Sequence, residues 1–508
     1  MSSPVVAVAG ASGFVGSWLL RGLGGSFDLI GLSRSLRASS YESRVSWRQA
    51  DLFSMPKLTE AMKGADAAVY LVHSMLPSSR LVQGNFADLD LLLADNFVRA
   101  AEQAGVKHII YLGGLIPDDD GSLSEHLASR KEVEEVLRSR SVEVTVLRSG
   151  LIYGRGGSSI RILLQLVRRL PIMVLPRWTR QLTQSTDVRD VVRSIEFCLT
   201  ESRFQGGTWD IASHDPMTYR DMILRSAKVL GLRPRTIDFP ANFIGLSKLW
   251  VSLISQSSPS LVNPLLASLR HAMLAKDNAL LVELMKEAVP FEQSVKDSVD
   301  ENGRPVDLAA PGHRRRKRRR LRKARRVRSV QRMPLPPGWD APRVADEYGR
   351  WLTRTSFTII NVQKLEDGTL RFVWRWPEVS MLELHPSDLT RHQQGRRVFY
   401  IRGGLLTRSR EEPPGRFEFR VVEEGRAIIA AIHEYAPRLP WFIYQFTQAK
   451  VHLLVMRAFA AHLRRDRAAG NPFIERKYVI TSNHVSRPDQ DPWNRFRCSH
   501  AFEQWPGA

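Results

Sequence analysis

Three glycines, Gly10, Gly13 and Gly16, follow the apolar run Val5-Val6-Ala7-Val8-Ala9 at the spacing G-x-x-G-x-x-G. Ser12, Phe14 and Val15 complete the turn, and a helical pattern continues to Leu23. A buried strand that turns through glycines into a helix presents unpaired N–H groups and the positive end of the helix dipole. That arrangement suits a pyrophosphate, because glycine lets phosphates reach the backbone and lets the helix lie close to the strand. Dinucleotide binding through Gly10, Ser12, Gly13, Phe14, Val15 and Gly16 is therefore the chemistry expected, with a purely structural glycine turn as the alternative. Ser33 and Arg34 end the predicted second strand, with Arg37 close behind. An NAD-preferring site would carry a carboxylate there for the ribose 2′-hydroxyl. A guanidinium instead pairs with a 2′-phosphate through forked, charge-assisted hydrogen bonds, so NADP(H) is expected, with NAD(H) as the second option. The alternative for Arg34 is a solvent-facing side chain. Asp51 and Leu52 follow the third strand, where a carboxylate with an apolar neighbour suits the adenine edge, and Val72 and His73 end the fourth along the same border of the sheet.

The elements that must position these residues read as alternating strands and helices. Strands are predicted at 5–9, 27–33, 45–49, 67–72, 108–113 and 142–148, and helices at 14–23, 57–62, 88–104 and 127–139. Near-continuous apolar strands alternating with helices predict a doubly wound parallel sheet, an α/β Rossmann fold. At 508 residues the chain is long enough for two or three domains. It has no run of 18 apolar residues and no charged leader before an apolar segment, so neither a membrane span nor a signal peptide is expected. Two cysteines, Cys198 and Cys498, cannot build a disulfide framework or a zinc site, and no metal is expected. A cytoplasmic protein, with peripheral membrane attachment as the variant, is the resulting expectation.

The segments Gly10-Ala11-Ser12-Gly13-Phe14-Val15-Gly16, Ala50-Asp51-Leu52, Tyr111-Leu112-Gly113-Gly114-Leu115, Ser124 to Val133, Leu147 to Gly154, Pro176-Arg177-Trp178 and Thr186 to Val191 resemble the atypical short-chain dehydrogenase/reductase superfamily. The resemblance is to its NmrA-like group, which includes proteins similar to the large accessory NAD(P)-binding subunit of respiratory complex I, and it spans about residues 4–240. Active members of the superfamily carry Tyr-x-x-x-Lys on the helix after the fifth strand, and a serine at the preceding strand end. At that spacing this chain has His126-Leu127-Ala128-Ser129-Arg130, and Gly113-Gly114 stands in place of the serine. The resemblance implies that Arg130 and Gly113 border the cofactor and that Arg130 binds ribose. His126 becomes the candidate proton donor, with a helix-start histidine beside the nicotinamide as the alternative. It also implies that the Gly154-Arg155-Gly156-Gly157-Ser158-Ser159 turn closes over the nicotinamide and opens a substrate lobe.

Net charge is +22, and it is concentrated: from Arg314 to Arg328 there are twelve Lys/Arg and no acid. Like charges extend such a stretch. It reads as a disordered insertion at 313–328, with an anionic membrane surface or nucleic acid as its prospective partners and a solvated linker as the alternative. The expected division is an NAD(P)-binding domain with a small substrate lobe at 1–270, a connecting segment at 271–330, a second domain at 331–466, and an irregular tail at 467–508. The segment 243–254 is apolar enough to line a pocket or contact a partner, or else packs in the core, and 261–273 reads as helical.

In the second domain a helix at 341–352, strands near 357–363, 370–376, 381–385, 398–401, 417–422 and 427–433, and a long helix at 441–464 predict an α+β antiparallel sheet wrapped on a C-terminal helix. Phe399 to Leu406, Gly415 to Arg420 and Leu439 to Tyr444 resemble the helix-grip, START-like domain that follows this Rossmann module in bacterial relatives. Trp374, Trp376, Phe399, Phe417, Phe419, Tyr435, Trp441 and Tyr444 would line an apolar cavity, with His433 as its polar anchor, or else form an ordinary aromatic core. The function expected is NADPH-dependent reduction of a moderately apolar carbonyl, enone or quinone. A non-catalytic NADP(H)-holding accessory or redox-sensing protein and a nucleotide-sugar epimerase or dehydratase are the alternatives.

Overall fold

The computed structural model describes residues 3–34, 44–74, 82–117, 123–214, 216–239, 271–306, 326–355, 360–408 and 414–469. Arg37, the segment 243–254, most of 261–273 and of the arginine stretch, and the tail beyond 469 lie outside the described residues. The chain divides into two compact units, one of residues 1–77 and 89–318 and the other of 78–88 and 319–508.

In chain order the elements up to the first sheet's centre are β1 (Val5–Ala9), α1 (Phe14–Leu23), β2 (Asp28–Ser33), β3 (Val45–Gln49), α2 (Met55–Met62), β4 (Ala67–Tyr70), β5 (Val82–Gln83), α3 (Phe86–Ala104), β6 (His108–Gly114), α4 (Glu125–Arg138) and β7 (Glu143–Ser149). Next come β8 (Ile152–Tyr153), α5 (Ser158–Arg169), β9 (Ile172–Pro176), β10 (Leu182–Thr183), β11 (Thr186–Asp187), α6 (Val188–Thr200), β12 (Thr208–Ile211), β13 (Met217–Thr218), α7 (Tyr219–Val229), β14 (Arg235–Phe239), α8 (Ala279–Met285) and α9 (Phe291–Asp297).

A seven-stranded parallel sheet runs in the order β12-β7-β6-β4-β1-β2-β3. Its central strands are apolar on both sides because helices cover both sides. Ala7, Ala9, Ile30 and Tyr70 pack with Leu58, Phe97, Val98, Val133 and Leu137 from α2, α3 and α4. Val6, Val8 and Leu29 pack with Leu19, Leu23, Val191, Ile195, Leu280 and Leu284 from α1, α6 and α8. Successive residues of one strand thus serve opposite cores, as the two-residue period of a strand requires. Caps fix the helix starts: Ser124 accepts from the Leu127 amide at the head of α4, and Asp187 accepts from the Arg189 amide at the head of α6.

The second unit holds β15 (Val327–Pro334), α10 (Ala341–Thr355), β16 (Ile360–Lys364), β17 (Leu370–Trp374), β18 (Val379–Pro386), β19 (Arg396–Gly403), β20 (Gly415–Val422), β21 (Ala427–Tyr435), α11 (Trp441–Phe446) and α12 (Gln448–Ala469). Its sheet order is β16-β17-β18-β19-β20-β21-β15-β5. All pairings are antiparallel except the last, where β5 adds in parallel to β15 through Arg328↔Val82 and Ser329↔Gln83. Two features depart from the sequence reading. The boundary expected at 330/331 falls inside a strand, because Val327 is fully buried and Arg328 is neutralised by Glu434. The single helix expected at 441–464 breaks at Thr447, whose ψ of −92° ends α11 before α12 begins.

The aromatic residues of this unit divide between core and surface. Tyr348 of α10 packs against Phe372, Phe417, Phe419 and Phe459, all in one apolar cluster between the sheet and α10 and α12. Trp374 and Trp376 are 41% and 88% exposed and lie outside this cluster. His433 is not an anchor for that cluster: its register partner Arg416 flanks Phe417, so strand alternation turns it to the opposite face, where its Nε2 lies 3.1 Å from Glu418. His452 bonds Ser329 and His462 bonds Glu347, so His433, His452 and His462 have three separate partners. Among the described residues no group of three or more His, Cys, Asp or Glu is placed to hold a metal, and no helix is long and apolar enough to cross a membrane.

Candidate functional site

The chain reverses direction across the first sheet at β1, with β2 on one side and β4 on the other. Such a switch point opens a crevice beyond the carboxyl ends of the strands. The glycine turn sits there. Gly10 has φ +87°, a conformation that L side chains rarely adopt, and Gly13 donates its N–H to the Gly10 carbonyl at 2.8 Å. A Cβ on Gly16 would lie 2.4 Å from the Gly10 oxygen and 2.6 Å from Ala11 Cα, so only glycine permits this approach of α1 to the turn. Gly13 caps α1 without any side-chain hydrogen bond, which leaves the first-turn amides for a ligand. The cradle therefore fits a dinucleotide pyrophosphate on grounds of shape and donors alone.

The other expected cofactor residues end neighbouring strands on the same border. Ser33 closes β2 and the exposed Arg34 follows it; the Arg34 carbonyl accepts from Gln49 at 3.3 Å. Asp51 and Leu52 follow β3, held by the Asp51 carboxylate to the Phe53 amide and by Asn96 to the Leu52 carbonyl. Val72 and His73 follow β4, and Gly113 lies near the end of β6. The glycine loop at 154–157 packs on the head of α1: Trp18 Nε1 donates to the Arg155 carbonyl at 3.1 Å, and a Cβ on Gly157 would lie 2.9 Å from the Phe14 ring. A cleft beside this loop is lined by Trp18, Arg155, Asp187, Arg189 and Asp297.

Helix α4 carries His126 and Arg130 one turn apart, on the face turned toward β6. Arg130 is 7% exposed, and its guanidinium bonds the fully buried carboxylate of Asp90 on α3. Tyr111 donates its hydroxyl to the Arg130 carbonyl at 3.1 Å, and burial pushes that phenol up to about 12. Tyr70 is held well above the ordinary value, by burial first and then by the Asp90 charge. Neither tyrosine ionises near neutral pH. His126 is pushed down to about 3, by burial first and then by the charges of Arg130 and His73. Its Nδ1 is buried and has no hydrogen-bond partner among the described residues. His126 is therefore a neutral imidazole at physiological pH, able to donate or accept a hydrogen bond but not to deliver a proton as imidazolium. At the strand end, a Cβ on Gly114 would meet Leu127 and Arg130 only at 3.6 and 3.7 Å, whereas one on Gly113 would press on the Tyr111 ring at 3.0 Å.

Asp90 escaped the sequence reading. Its signal was present: Asp88, Asp90 and Asp95 interrupt the otherwise apolar first half of α3, and buried carboxylates need partners.

Residues 10–166 match a family model described as NAD(P)H-binding. The matched range takes in the glycine turn, the ends of β2, β3, β4 and β6, and α4 with His126 and Arg130. Among curated proteins, the chain is 28% identical over 183 residues to the auxiliary protein GraX of Staphylococcus aureus, covering 35% of this chain and 54% of that protein. It thus spans about half the length of that relative. It is 25% identical over 239 residues to a ceramide reductase of Caulobacter vibrioides, covering 46% of this chain and 74% of that one. Among solved structures it resembles the triphenylmethane reductase of Citrobacter sp. complexed with NADP(H), at 18% identity and a TM-score of 0.46, over 58% of this chain and 99% of that one.

Proposed function

We propose that the first unit is an NADPH-dependent reductase for an apolar, electron-poor acceptor, a quinone or enone before a simple carbonyl. The observation that carries this reading is His126, half-buried on α4 and neutral where the superfamily resemblance puts the proton donor. A bound nicotinamide supplies a hydride. An acceptor that delocalises the incoming charge needs only a hydrogen bond to its oxygen, which a neutral imidazole provides, whereas an ordinary ketone needs a stronger acid. Arg130, tied to Asp90, holds α4 and contributes its positive field to the edge of the site. Arg34 at the end of β2 supports NADPH over NADH through the 2′-phosphate. The relative named for ceramide reduction supports an apolar substrate.

Fluorescence titration with NADPH and NADH, followed by turnover with a panel of quinones, enones and aldehydes, tests the reading. Quinone turnover that exceeds aldehyde turnover and falls in His126→Ala supports it. NADPH binding without any turnover, unaffected by His126→Ala, overturns it in favour of a cofactor-holding accessory protein. That second reading draws on the absence of tyrosine, lysine and serine from the three positions filled here by His126, Arg130 and Gly113. The helix-grip comparison for the second unit remains part of this proposal: a sheet with α10 and α12 on one face supports it, while the packed Tyr348 cluster supports a structural core in place of a ligand cavity.

A further inference from the structure

Strands β9 and β14 form a separate two-stranded parallel ribbon, with register pairs Ile172↔Arg235, Val174↔Ile237 and Pro176↔Phe239. Its inner face is satisfied: Met173 and Leu175 pack on Val167, Ile223 and Ala227 of α5 and α7. Its outer face is apolar where solvent-facing positions of a ribbon would ordinarily be polar. Ile172, Val174 and Ile237 are 52%, 45% and 54% exposed, and Phe239 extends the same face. A contiguous apolar surface of this kind, on an element already anchored from behind, marks an interaction site.

The charges around the ribbon say what kind of surface fits. From Ser158 to Thr186 the chain has five arginines and no aspartate or glutamate. Arg168, Arg169, Arg177 and Arg180 are exposed on either side of β9, Arg233 precedes β14, and Arg235 is its first residue, paired with Ile172. The one carboxylate on the ribbon, Asp238, is shared between Arg180 and Arg220. A second copy of the chain would bring a second set of arginines against the first. An anionic bilayer instead offers hydrocarbon to the apolar face and phosphate to the arginine rim.

We propose that the outer face of the β9–β14 ribbon docks on an anionic membrane surface, with Ile172, Val174 and Ile237 entering the headgroup boundary and the flanking arginines pairing with lipid phosphates. This site is distinct from the arginine stretch at 314–328, and it rests on the ribbon alone, not on the reductase reading.

The test is co-sedimentation of the full chain with vesicles of phosphatidylcholine alone or mixed with phosphatidylglycerol, at 0.1 and 0.5 M NaCl. At the higher salt the screening length falls to about 4 Å, so attraction by a purely electrostatic stretch is suppressed while apolar insertion persists. The wild type is expected to bind only the anionic vesicles and to keep part of that binding at 0.5 M NaCl. Ile172→Glu/Ile237→Glu is expected to lose at least fivefold in binding and all of the salt-resistant part, with an unchanged thermal transition and unchanged NADPH titration. Wild-type binding by the double variant overturns the proposal. So does a dimer in light scattering that the variant dissociates, which would assign the face to a second copy. A lowered thermal transition in the variant also overturns it, because the face would then be covered within the chain.

Discussion

The Arg130 guanidinium on α4 is bonded to the Asp90 carboxylate on α3, and the pair is buried beside Tyr70 and Tyr111. Removing one partner would leave the other charge without compensation in a dry interior. Asp90→Ala is expected to lower the stability of the first unit by about 3–5 kcal/mol. Asp90→Leu/Arg130→Met, which removes both charges, should recover most of that loss. Urea unfolding followed by a signal from the first unit checks both, and equal losses in the two variants would show that the pair is not coupled.

The fit of α1 against the glycine turn predicts a steep response to one methyl group. In Gly16→Ala the new Cβ would collide with backbone atoms of Gly10 and Ala11, which cannot swing aside as a side chain can. NADPH affinity is expected to fall at least tenfold in fluorescence titration. Gly114→Ala, where ordinary contact distances await the new Cβ, should leave it within twofold.

Arg34→Ala separates the two cofactors. NADPH affinity should fall about tenfold, the scale of one charge-assisted, forked contact, while NADH affinity stays constant. Parallel titrations with both dinucleotides read the ratio directly; an unchanged ratio would remove Arg34 from the 2′-phosphate site.

Histidines held neutral by the fold make stability depend on pH in a defined direction. His126 is held down to about 3 by burial and by the charges of Arg130 and His73, and His452 down to about 4 by burial. In the unfolded chain both return to about 6.5. As pH falls through 6.5 the unfolded state takes up protons that the folded state refuses, so stability falls from about pH 6.5 toward pH 4. The slope is at most about 1.4 kcal/mol per pH unit for each such group. His126→Gln should flatten this dependence for the first unit. Between pH 7 and 9 neither histidine titrates, and His126 should impose no pH step on turnover there.

In the second unit Glu418 lies among Arg396, Arg420 and His433 on the sheet face away from α10 and α12. Burial works to raise its pKa, and the two guanidiniums and the imidazole overcome this and hold it well below the ordinary value. Glu418→Ala leaves those cations facing one another and is expected to cost about 3–5 kcal/mol. Glu418→Gln, which keeps the hydrogen bonds and loses the charge, should cost less. Thermal unfolding of the two variants tells charge from hydrogen bonding.

Much of the first unit was legible in the sequence for local reasons. The strands at 5–9 and 45–49 and the helix at 14–23 coincide with β1, β3 and α1, because apolar periodicity and glycine punctuation are properties of consecutive residues. The second unit was less legible where neighbours along the chain mislead. Val327 and Arg328 look like the end of a charge run, and only pairing with β21 and the Glu434 carboxylate makes them strand. Val82 and Gln83 carry no strand signal, yet they complete the second sheet through β15.

The sequence alone determined a glycine turn between a buried strand and a helix, and with it a dinucleotide site. It also determined that histidine, arginine and glycine stand where tyrosine, lysine and serine would serve catalysis. Only the tertiary structure decided what those substitutions mean, because ionisation and pairing depend on groups far apart in the chain. Asp90 reaches Arg130 across 40 residues, and burial together with Arg130 and His73 keeps His126 neutral. The glycines place a cofactor by their own backbone freedom, whereas the chemistry beside it is set by charges that the fold brings together.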